Sequence, residues 1–397
     1  MRWGVKDVVG QRIGFVIRAA SGKERISDLC REFQISRPTG YLWLGRYRAG
    51  GESLAAVKEQ SRRPRTSPKR TVTSIEQQVI RIREQEGWGA KAIQHVLGRD
   101  QGIFVGRMTV HRILERHGLI REENRHEPAV KRFQREKPNE LWQMDFKGQF
   151  PMGEGQCYPL SVLDDHSRYL IGLQALDGPK AEGVHETLVD CFISHGVPDA
   201  MLMDHGTPWW STSNGHGLTW LSVKLLKQGI HLYYSGIRHP QTQGKVEKFH
   251  DTLRRAIEHR NRWHEELTGW RHEFSDYRHV YNDQRPHEAL KMDTPAQHYR
   301  TGERRYQPGG QTWNYPPGAV LRKLNTQGQL YCGRYLFVSE ALAGETVRLH
   351  ELNNKIVVSY RHMLVREIDK ASGQSIPLVL PADPSMRTVG VVENQQN

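Results

Sequence analysis

A carboxylate interrupts an apolar strand pattern in the stretch NELWQMDFKGQF, residues 139–150. Trp142, Met144 and Phe146 share one face of the predicted strand because side chains alternate with period 2, and Asp145 lies on the other face. A lone acid in such a strand needs a partner, a pair or a metal ion to offset its desolvation. The chemistry of Asp145 therefore depends on which other groups share its site.

Two further acids are placed where they could join Asp145. Asp204 ends a short buried strand in AMLMDHGTPW, and Glu247 lies near the start of a long helix in HPQTQGKVEKFHDTLRRA. Ligands collect at strand ends in an open α/β sheet, so the three acids could meet at one edge. Three carboxylates would repel one another, whereas two Mg²⁺ ions about 3.5–4 Å apart remove the repulsion and create a phosphoryl-transfer site. Taken singly, each acid is more readily a helix cap or an ion-pair partner, but the three in this order favour metal ligands.

The positive charge of the chain is concentrated in its first third. Of 397 residues with a net charge of +13, those through Lys137 hold 29 Lys and Arg against 15 Asp and Glu, while the remainder hold 28 against 29. Such an excess is typical of a module that binds nucleic acid, with a solvated basic surface as the alternative. No apolar run approaches the roughly 18 residues of a membrane helix, and the four cysteines form no C-x-x-C pair. We therefore expect a cytoplasmic protein with no membrane partner.

The basic region contains two predicted helix-turn-helix units. Residues 27–47 predict a short helix capped by Ser27, a turn and a second helix, for which an ordinary helical hairpin is the alternative. Residues 74–119 predict three more helices, the last of them beginning at Thr109 as its cap. The side chains expected to contact DNA from these units and from the arginine-rich linker between them are Arg37, Thr39, Tyr41, Arg62, Arg63, Arg65, Arg107, Thr109, His111 and Arg112.

From Pro138 onward the pattern changes to alternating strands and helices in the order β-β-β-α-β-α-β-α, which predicts an α/β domain with a mixed sheet. The region after it is rich in strand signals, and we expect a small β-barrel of SH3-like shape there. The chain is thus predicted to be multidomain. Its expected segments are residues 1–60 and 74–120 as helix-turn-helix domains, 61–73 and 121–137 as linkers, 138–305 as the α/β core, 315–370 as the β domain and 377–397 as a disordered tail.

Several motifs carry a family resemblance. The segments LWQMDFKG, LDDHSRYLIG, MDHGTPW and HPQTQGKVEKFHDTL closely resemble the core of DDE transposases with the retroviral-integrase, RNase H-like fold. The two helix-turn-helix units and the motif YNDQRPHEAL resemble bacterial insertion-sequence transposases in particular. The resemblance implies a catalytic triad of Asp145, Asp204 and Glu247 that holds two Mg²⁺ ions, with Asp145 bridging both and with Mn²⁺ able to substitute.

The same resemblance implies partners and further site residues. Gln243 lies one turn before Glu247 and Arg254 two turns after it, and these two residues and Lys245 are expected on DNA. The expected partners are double-stranded DNA, as terminal repeats and as target, and further copies of the chain in a dimer or higher oligomer. An accessory ATPase is left open. A catalytically silent DNA-binding regulator and an RNase H-like nuclease are the alternative functions.

This chain departs from many family members between the second and third acids. As many as 42 residues separate Asp204 from Glu247, and the stretch WWSTSNGHG, residues 209–217, resembles an inserted loop. Its tryptophans Trp209 and Trp210 would either stack on an unpaired base beside the scissile phosphate or pack on the edge of the sheet.

Overall fold

The computed structural model describes residues 8–58, 71–120, 134–212, 217–235 and 244–378. The chain divides into two compact units, Met1–Arg70 and Thr71–Asn397. Several sequence predictions lie outside the described residues, namely Arg62, Arg63, Arg65 and Gln243, most of both linkers, and the tail beyond residue 378. Within the described parts of the chain, no helix combines the length and the apolar character needed to cross a membrane.

The first unit is a bundle of three helices, α1 (Val8–Ala20), α2 (Ile26–Glu32) and α3 (Arg37–Ala49). Its core includes Phe15, Leu29 and Trp43. Helix α3 begins at Arg37 because the Ser36 hydroxyl accepts a hydrogen bond from the Thr39 backbone N–H at 3.4 Å. The predicted cap at Ser27 is wrong, because α2 starts at Ile26 and Ser27 lies inside its first turn.

The second unit opens with a further trihelical bundle, α4 (Thr73–Glu86), α5 (Ala90–Gln101) and α6 (Arg107–Arg116). Gly87 and Gly102 end the first two helices in the left-handed conformation that glycine adopts at least cost. The predicted cap at Thr109 is wrong, since α6 starts two residues earlier with Gly106 as its N-cap. The remaining elements of this unit, in chain order, are β1 (Trp142–Phe146), β2 (Phe150–Pro151), β3 (Gln156–Asp164), β4 (Leu170–Leu176), α7 (Ala181–His195), β5 (Ala200–Met203), β6 (Trp210–Ser211), β7 (Gly217–Leu218), α8 (Trp220–Lys227), β8 (His231–Tyr234), α9 (Gly244–Arg260), α10 (Leu267–His279), α11 (Pro295–His298), β9 (Val320–Lys323), β10 (Gln329–Tyr331), β11 (Tyr335–Phe337), β12 (Thr346–Leu352), β13 (Lys355–Tyr360), β14 (Met363–Asp369) and β15 (Ser375–Pro377).

The predicted mixed sheet is confirmed. Its path runs β2-β3-β1-β5-β8, with β4 also paired to β3. Strands β3 and β4 form an antiparallel hairpin, β3 pairs antiparallel with β1, and β1, β5 and β8 are mutually parallel. Helices α7 and α8 pack on one face around Trp142 and Met201, and helices α9 and α10 pack on the other face around Phe150 and Leu173. Strand β1 is therefore central and covered on both faces, as the strands of an α/β sheet are.

The C-terminal β region forms open sheets. Five strands pair in the order β15-β14-β13-β12-β9, and β10 pairs only with β11 in a separate hairpin. The predicted small β-barrel of SH3-like shape is not confirmed in the described residues, where the strands form open sheets with β9 and β15 as edges. The apolar side chains of this region, among them Leu330 and Val358, join the core that surrounds α8 instead of an interior of their own. An ion pair of 2.6 Å between Lys227 and Glu345 also links α8 to the β region.

Candidate active site

Asp145 and Asp204 lie at the ends of neighbouring parallel strands. In the pairing of β1 with β5, Trp142 is opposite Met201 and Gln143 is opposite Leu202. The same pairing offset, continued along both strands, brings Asp145 beside Asp204, the first residue after β5. Parallel pairing thus places the two carboxylates at one edge of the sheet, because the carboxyl ends of parallel strands point the same way.

Glu247 reaches this edge from the first turn of α9. One turn further along the helix, His250 Nε2 lies 3.0 Å from the hydroxyl oxygen of Ser161, the residue on β3 that pairs with Asp145. This contact fixes the helix across β1 and β3. The side chain three residues before His250 therefore lies on the same side of α9, near Asp145.

The electrostatics of Asp145 reflect these neighbours. The pKa of Asp145 is raised to about 7, first by burial, then by the charge of Asp204 and more weakly by that of Glu247, and a hydrogen bond from the Phe146 N–H opposes the shift. Burial and the charge of Asp251 also raise the pKa of Glu247. Like charges that share a site disfavour ionisation, and a bound cation reverses the effect.

The carboxylate oxygens are held by hydrogen-bond donors in this structure. Asp145 Oδ1 accepts from the Phe146 N–H at 2.8 Å, and Asp204 Oδ1 accepts from the Trp209 indole N–H at 2.6 Å and from the Gly206 N–H at 2.9 Å. So oriented, no three His, Cys, Asp or Glu side chains of the described residues surround a common point that could hold a metal ion. The site nevertheless fits divalent cations, because it offers carboxylate oxygens and because, after burial, the negative charges of Asp204 and Glu247 contribute to the raised pKa of Asp145.

His250 is a site residue that the sequence analysis missed. Its Nδ1 lies 3.8 Å from Asp145 Oδ2, and burial, followed by the charge of Lys147, lowers the pKa of His250 to about 3. The ring is therefore neutral at pH 7, and the contact with Asp145 is not an ion pair. Its position three residues after Glu247 was the one available signal, although buried histidines on apolar helix faces are common.

The motif LDDHSR supplies a buried support that the sequence analysis also missed. The Asp165 carboxylate, fully buried, forms an ion pair of 2.5 Å with Lys245 and accepts hydrogen bonds of 2.8 Å from Gln143 Nε2 and the Arg135 N–H. Burial lowers the pKa of Lys245, and the Asp165 carboxylate opposes the shift. This network joins the start of α9 to β1. The ammonium of Lys245, predicted to contact DNA, is turned inward here.

The other predicted DNA contacts divide by exposure. In the first unit, Arg37 and Tyr41 are exposed on α3, whereas Thr39 is half-buried and engaged with Ser36. In the second unit, Arg107 and Arg112 are exposed on α6, and Thr109 and His111 are half-buried. Exposed side chains on both predicted recognition helices are thus available to a ligand.

A cleft of about 530 Å³ lies between the second helical bundle and α9. His111 of α6 lines one side and Arg254 of α9 lines the other. The two walls are held together by an ion pair of 2.6 Å between Arg260 and Glu86 and by a contact of 2.9 Å from His259 Nε2 to the Glu84 carbonyl oxygen. Two predicted DNA contacts, one on the recognition helix and one on the helix of Glu247, therefore share one cavity.

Both tryptophans of the inserted stretch are buried. Trp209 is 1% exposed and Trp210 is 6% exposed. The Trp209 ring stacks on Phe146 at 5.6 Å and the Trp210 ring packs on Tyr234. Of the two alternatives, the structure favours packing on the sheet over stacking on DNA, because both side chains are buried. Residues 213–216 of the stretch lie outside the described parts of the chain.

Comparisons with known proteins match this architecture region by region. Residues 135–240 and 228–295 each match an integrase core domain. Residues 11–65 match a helix-turn-helix domain, and residues 39–114 match a homeodomain-like domain.

Among solved structures, the chain is similar to viral integrases. One is the simian T-cell lymphotropic virus intasome in complex with PP2A regulatory subunit B56 gamma, at 12% identity, 75% coverage of this chain, 95% coverage of that chain and a TM-score of 0.38. The HTLV-2 integrase catalytic core domain in complex with magnesium is similar in its trimeric form, at 12% identity, 42% and 99% coverage and a TM-score of 0.32. Its dimeric form is similar at 12% identity, 41% and 96% coverage and a TM-score of 0.30.

These TM-scores are low, so the kind of protein is indicated by the domain matches alone. An integrase core follows helix-turn-helix domains that bind DNA, and such a core implies an enzyme of phosphoryl transfer on DNA. The chain therefore contains an integrase core domain preceded by helix-turn-helix domains, the domain combination expected of an integrase-type transposase.

Proposed function

We propose that this transposase binds the terminal repeats of an insertion element and catalyses DNA strand cleavage and strand transfer at Asp145, Asp204 and Glu247. The observation that supports the proposal most directly is the raised pKa of Asp145, which reflects burial and the nearby charges of the other two acids. Clustered carboxylates at one edge of a sheet are costly for stability, and a cation-dependent reaction gives them a role.

The three carboxylates would hold two divalent cations, Mg²⁺ with Mn²⁺ as a substitute. When bound, these ions activate the attacking water or 3′-hydroxyl and stabilise the charge on the leaving oxygen. The chain itself supplies rigid placement. Asp145 is carried by a strand paired on both sides, and the Lys245–Asp165 ion pair ties the helix of Glu247 to the same sheet.

DNA recognition is proposed for the two helical bundles. Helices α3 and α6 present exposed Arg37, Tyr41, Arg107 and Arg112, and the first 137 residues hold the entire positive excess. A basic module of this kind neutralises phosphates through lysines and arginines while recognition helices contact base edges. Since two element ends must be paired before transfer, we propose a dimer or higher oligomer as the active form.

The test is a strand-transfer assay on labelled element ends with Mg²⁺. The wild-type protein is expected to yield joined products, and Asp145→Asn, Asp204→Asn and Glu247→Gln are each expected to abolish cleavage and joining while end binding persists. Each substitution removes one charge and keeps the size of the side chain. Near wild-type transfer by any one variant would remove that residue from the triad.

The same assay separates the alternatives. Sequence-specific binding without any product under Mg²⁺ or Mn²⁺ would indicate a silent regulator. Cleavage of hybrids or branched DNA without joining of element ends would indicate an RNase H-like nuclease.

A further inference from the structure

The buried Trp209 makes a direct contact with a triad residue. Its indole N–H donates to Asp204 Oδ1 at 2.6 Å, and the Gly206 N–H donates to the same oxygen at 2.9 Å. Within the described part of the chain, no hydrogen bond reaches Asp204 Oδ2. The two contacts therefore fix the position of Asp204 Oδ1. The position of Oδ2 follows from that of Oδ1, because both oxygens belong to one planar carboxylate.

Trp209, which holds Asp204, is itself held in place by three other residues. Its ring stacks on Phe146, the neighbour of Asp145 on β1, with centroids 5.6 Å apart and planes within 14°. Its backbone carbonyl accepts hydrogen bonds from the hydroxyls of Ser222 on α8 and Tyr234 on β8. Ring, main chain and N–H are thus all engaged in a site that is 1% exposed.

This arrangement leaves little room for the Asp204 side chain to turn. A Cβ atom on Gly206 would lie 2.9 Å from Asp204 Oδ2, so the glycine lets the loop fold closely around the carboxylate. A carboxylate that accepts two N–H donors on one oxygen loses rotational freedom. Partners of this kind around metal-ligating residues orient the ligand and tune its affinity.

Building on the proposed role of Asp204 as a metal ligand, we infer that Trp209 is a positioning residue for the metal site. It couples the two acid-bearing strands, since its N–H fixes Asp204 on β5 while its ring rests on the residue next to Asp145 on β1. The inserted stretch thereby serves the metal site from inside the fold, and its other tryptophan, Trp210, packs on His205 and Tyr234 without such a bond.

The test measures Mn²⁺ binding to the full chain by the loss of the free-ion electron paramagnetic resonance signal. Trp209→Phe keeps a ring on Phe146 and removes the N–H donor, and Trp210→Phe is the matched control for a buried tryptophan. We expect Trp209→Phe to weaken Mn²⁺ binding by about 10-fold or more, in the range for lost partners of metal ligands. We expect Trp210→Phe to bind Mn²⁺ like the wild type, and both variants to melt alike in EDTA.

Replacement of Trp209 by benzothienylalanine provides a second variant if Trp209→Phe fails to fold. It keeps the bicyclic shape and substitutes sulfur for the N–H, so the same loss of Mn²⁺ affinity is expected. Wild-type affinity in this variant, or equal losses in the Trp209 and Trp210 variants, would overturn the inference.

Asp204→Asn distinguishes this inference from the proposed function. If Asp204→Asn loses Mn²⁺ binding while the Trp209 variants retain it, only the positioning role fails. If Asp204→Asn binds Mn²⁺ like the wild type, Asp204 is not a ligand and the proposed metal site fails with it.

Discussion

At the residue scale, the electrostatics of the candidate active site lower the stability of the metal-free protein. Asp145 is half-buried on a central strand with the charges of Asp204 and Glu247 nearby, and these effects raise its pKa to about 7. The adjacent His250 brings no compensating charge, because burial lowers its own pKa to about 3. An ionised acid in such a setting destabilises the metal-free protein. A functional role for its charge explains why the acid is present despite this cost.

Asp145→Asn is therefore expected to stabilise the metal-free protein. In EDTA at pH 8, above the folded-state pKa, the wild type must keep Asp145 ionised against its surroundings, whereas asparagine carries no charge. A gain of about 2 kcal/mol is expected, roughly half of what the full pKa shift corresponds to, because the side chain is 21% exposed and partly screened. Chemical denaturation of both proteins measures it.

Glu140→Gln is a suitable control, since Glu140 lies in the same segment and accepts from the backbone N–H groups of Glu136 and Lys137. A loss of stability in Asp145→Asn that exceeds any loss in the control would contradict the electrostatic reading of the site.

At the element scale, helix α9 is anchored at both ends. Near its start, Lys245 pairs with the buried Asp165, and at its end Arg260 pairs with Glu86 and approaches Glu273 at 3.6 Å. Glu247 sits in the first turn between these anchors. A helix fixed at both ends holds a catalytic side chain more precisely than a loop does.

Lys245→Met is expected to destabilise the fold without changing the salt dependence of DNA binding. The substitution leaves the fully buried Asp165 carboxylate without its counter-charge, a loss of about 3 kcal/mol or more. The double variant with Asp165→Asn is expected to recover much of that loss. Urea denaturation and DNA binding at several salt concentrations provide the two measurements.

Lys248→Met on the exposed face of α9 is the matched control for Lys245→Met. If Lys245→Met kept wild-type stability and lowered the slope of log affinity against log salt by about one, Lys245 would be a phosphate contact as the sequence predicted.

Arg260→Ala is expected to cost about 3 kcal/mol. Its side chain is 9% exposed and that of Glu273 is 3% exposed, so the substitution leaves a buried carboxylate less compensated. Arg262 also reaches Glu273, at 3.2 Å, but is 52% exposed, and Arg262→Ala is expected to cost about 1 kcal/mol or less. Equal losses in the two variants, measured by denaturant titration, would show that burial does not control this network.

At the scale of the whole molecule, much of the positive charge lies in a different compact unit from the three candidate acids, Asp145, Asp204 and Glu247. The unit Met1–Arg70 holds 16 Lys and Arg against 6 Asp and Glu and has its own core around Phe15 and Trp43. The second helical bundle instead belongs to the unit Thr71–Asn397 together with the integrase core.

A chain that begins at Thr71 is therefore expected to fold with the melting temperature of the second unit. It should bind non-specific duplex DNA more weakly than the full chain and with a shallower dependence on salt, because a net charge of +10 has been removed. Calorimetry and binding measured between about 50 and 200 mM salt check both parts. Failure of the shortened chain to fold, or an unchanged salt slope, would be the contrary result.

Much of the local structure could be predicted from the sequence because it depends on short-range patterns. The helix Ala181–His195, with its buried face of Val184, Leu188, Cys191 and Phe192, and the buried strand Ala200–Met203 fit the predicted alternation of strands and helices. Apolar periodicity specifies such elements from within themselves. Helix starts were less predictable, since Ser27 and Thr109 suit a cap position equally well whether or not the helix begins there.

By itself, the sequence determined the order of elements, the basic bias of the N-terminal part and the three acids as candidates for one site. Only the tertiary structure decided which groups meet. Parallel pairing of β1 with β5 brings Asp145 beside Asp204, the buried Asp165 draws Lys245 inward, and Trp209, for which the sequence left two roles open, is a partner of Asp204. The reason is that such contacts join residues from 5 to 80 positions apart in the chain. Their formation depends on strand register and on the burial of competing groups, and neither is contained in any one segment.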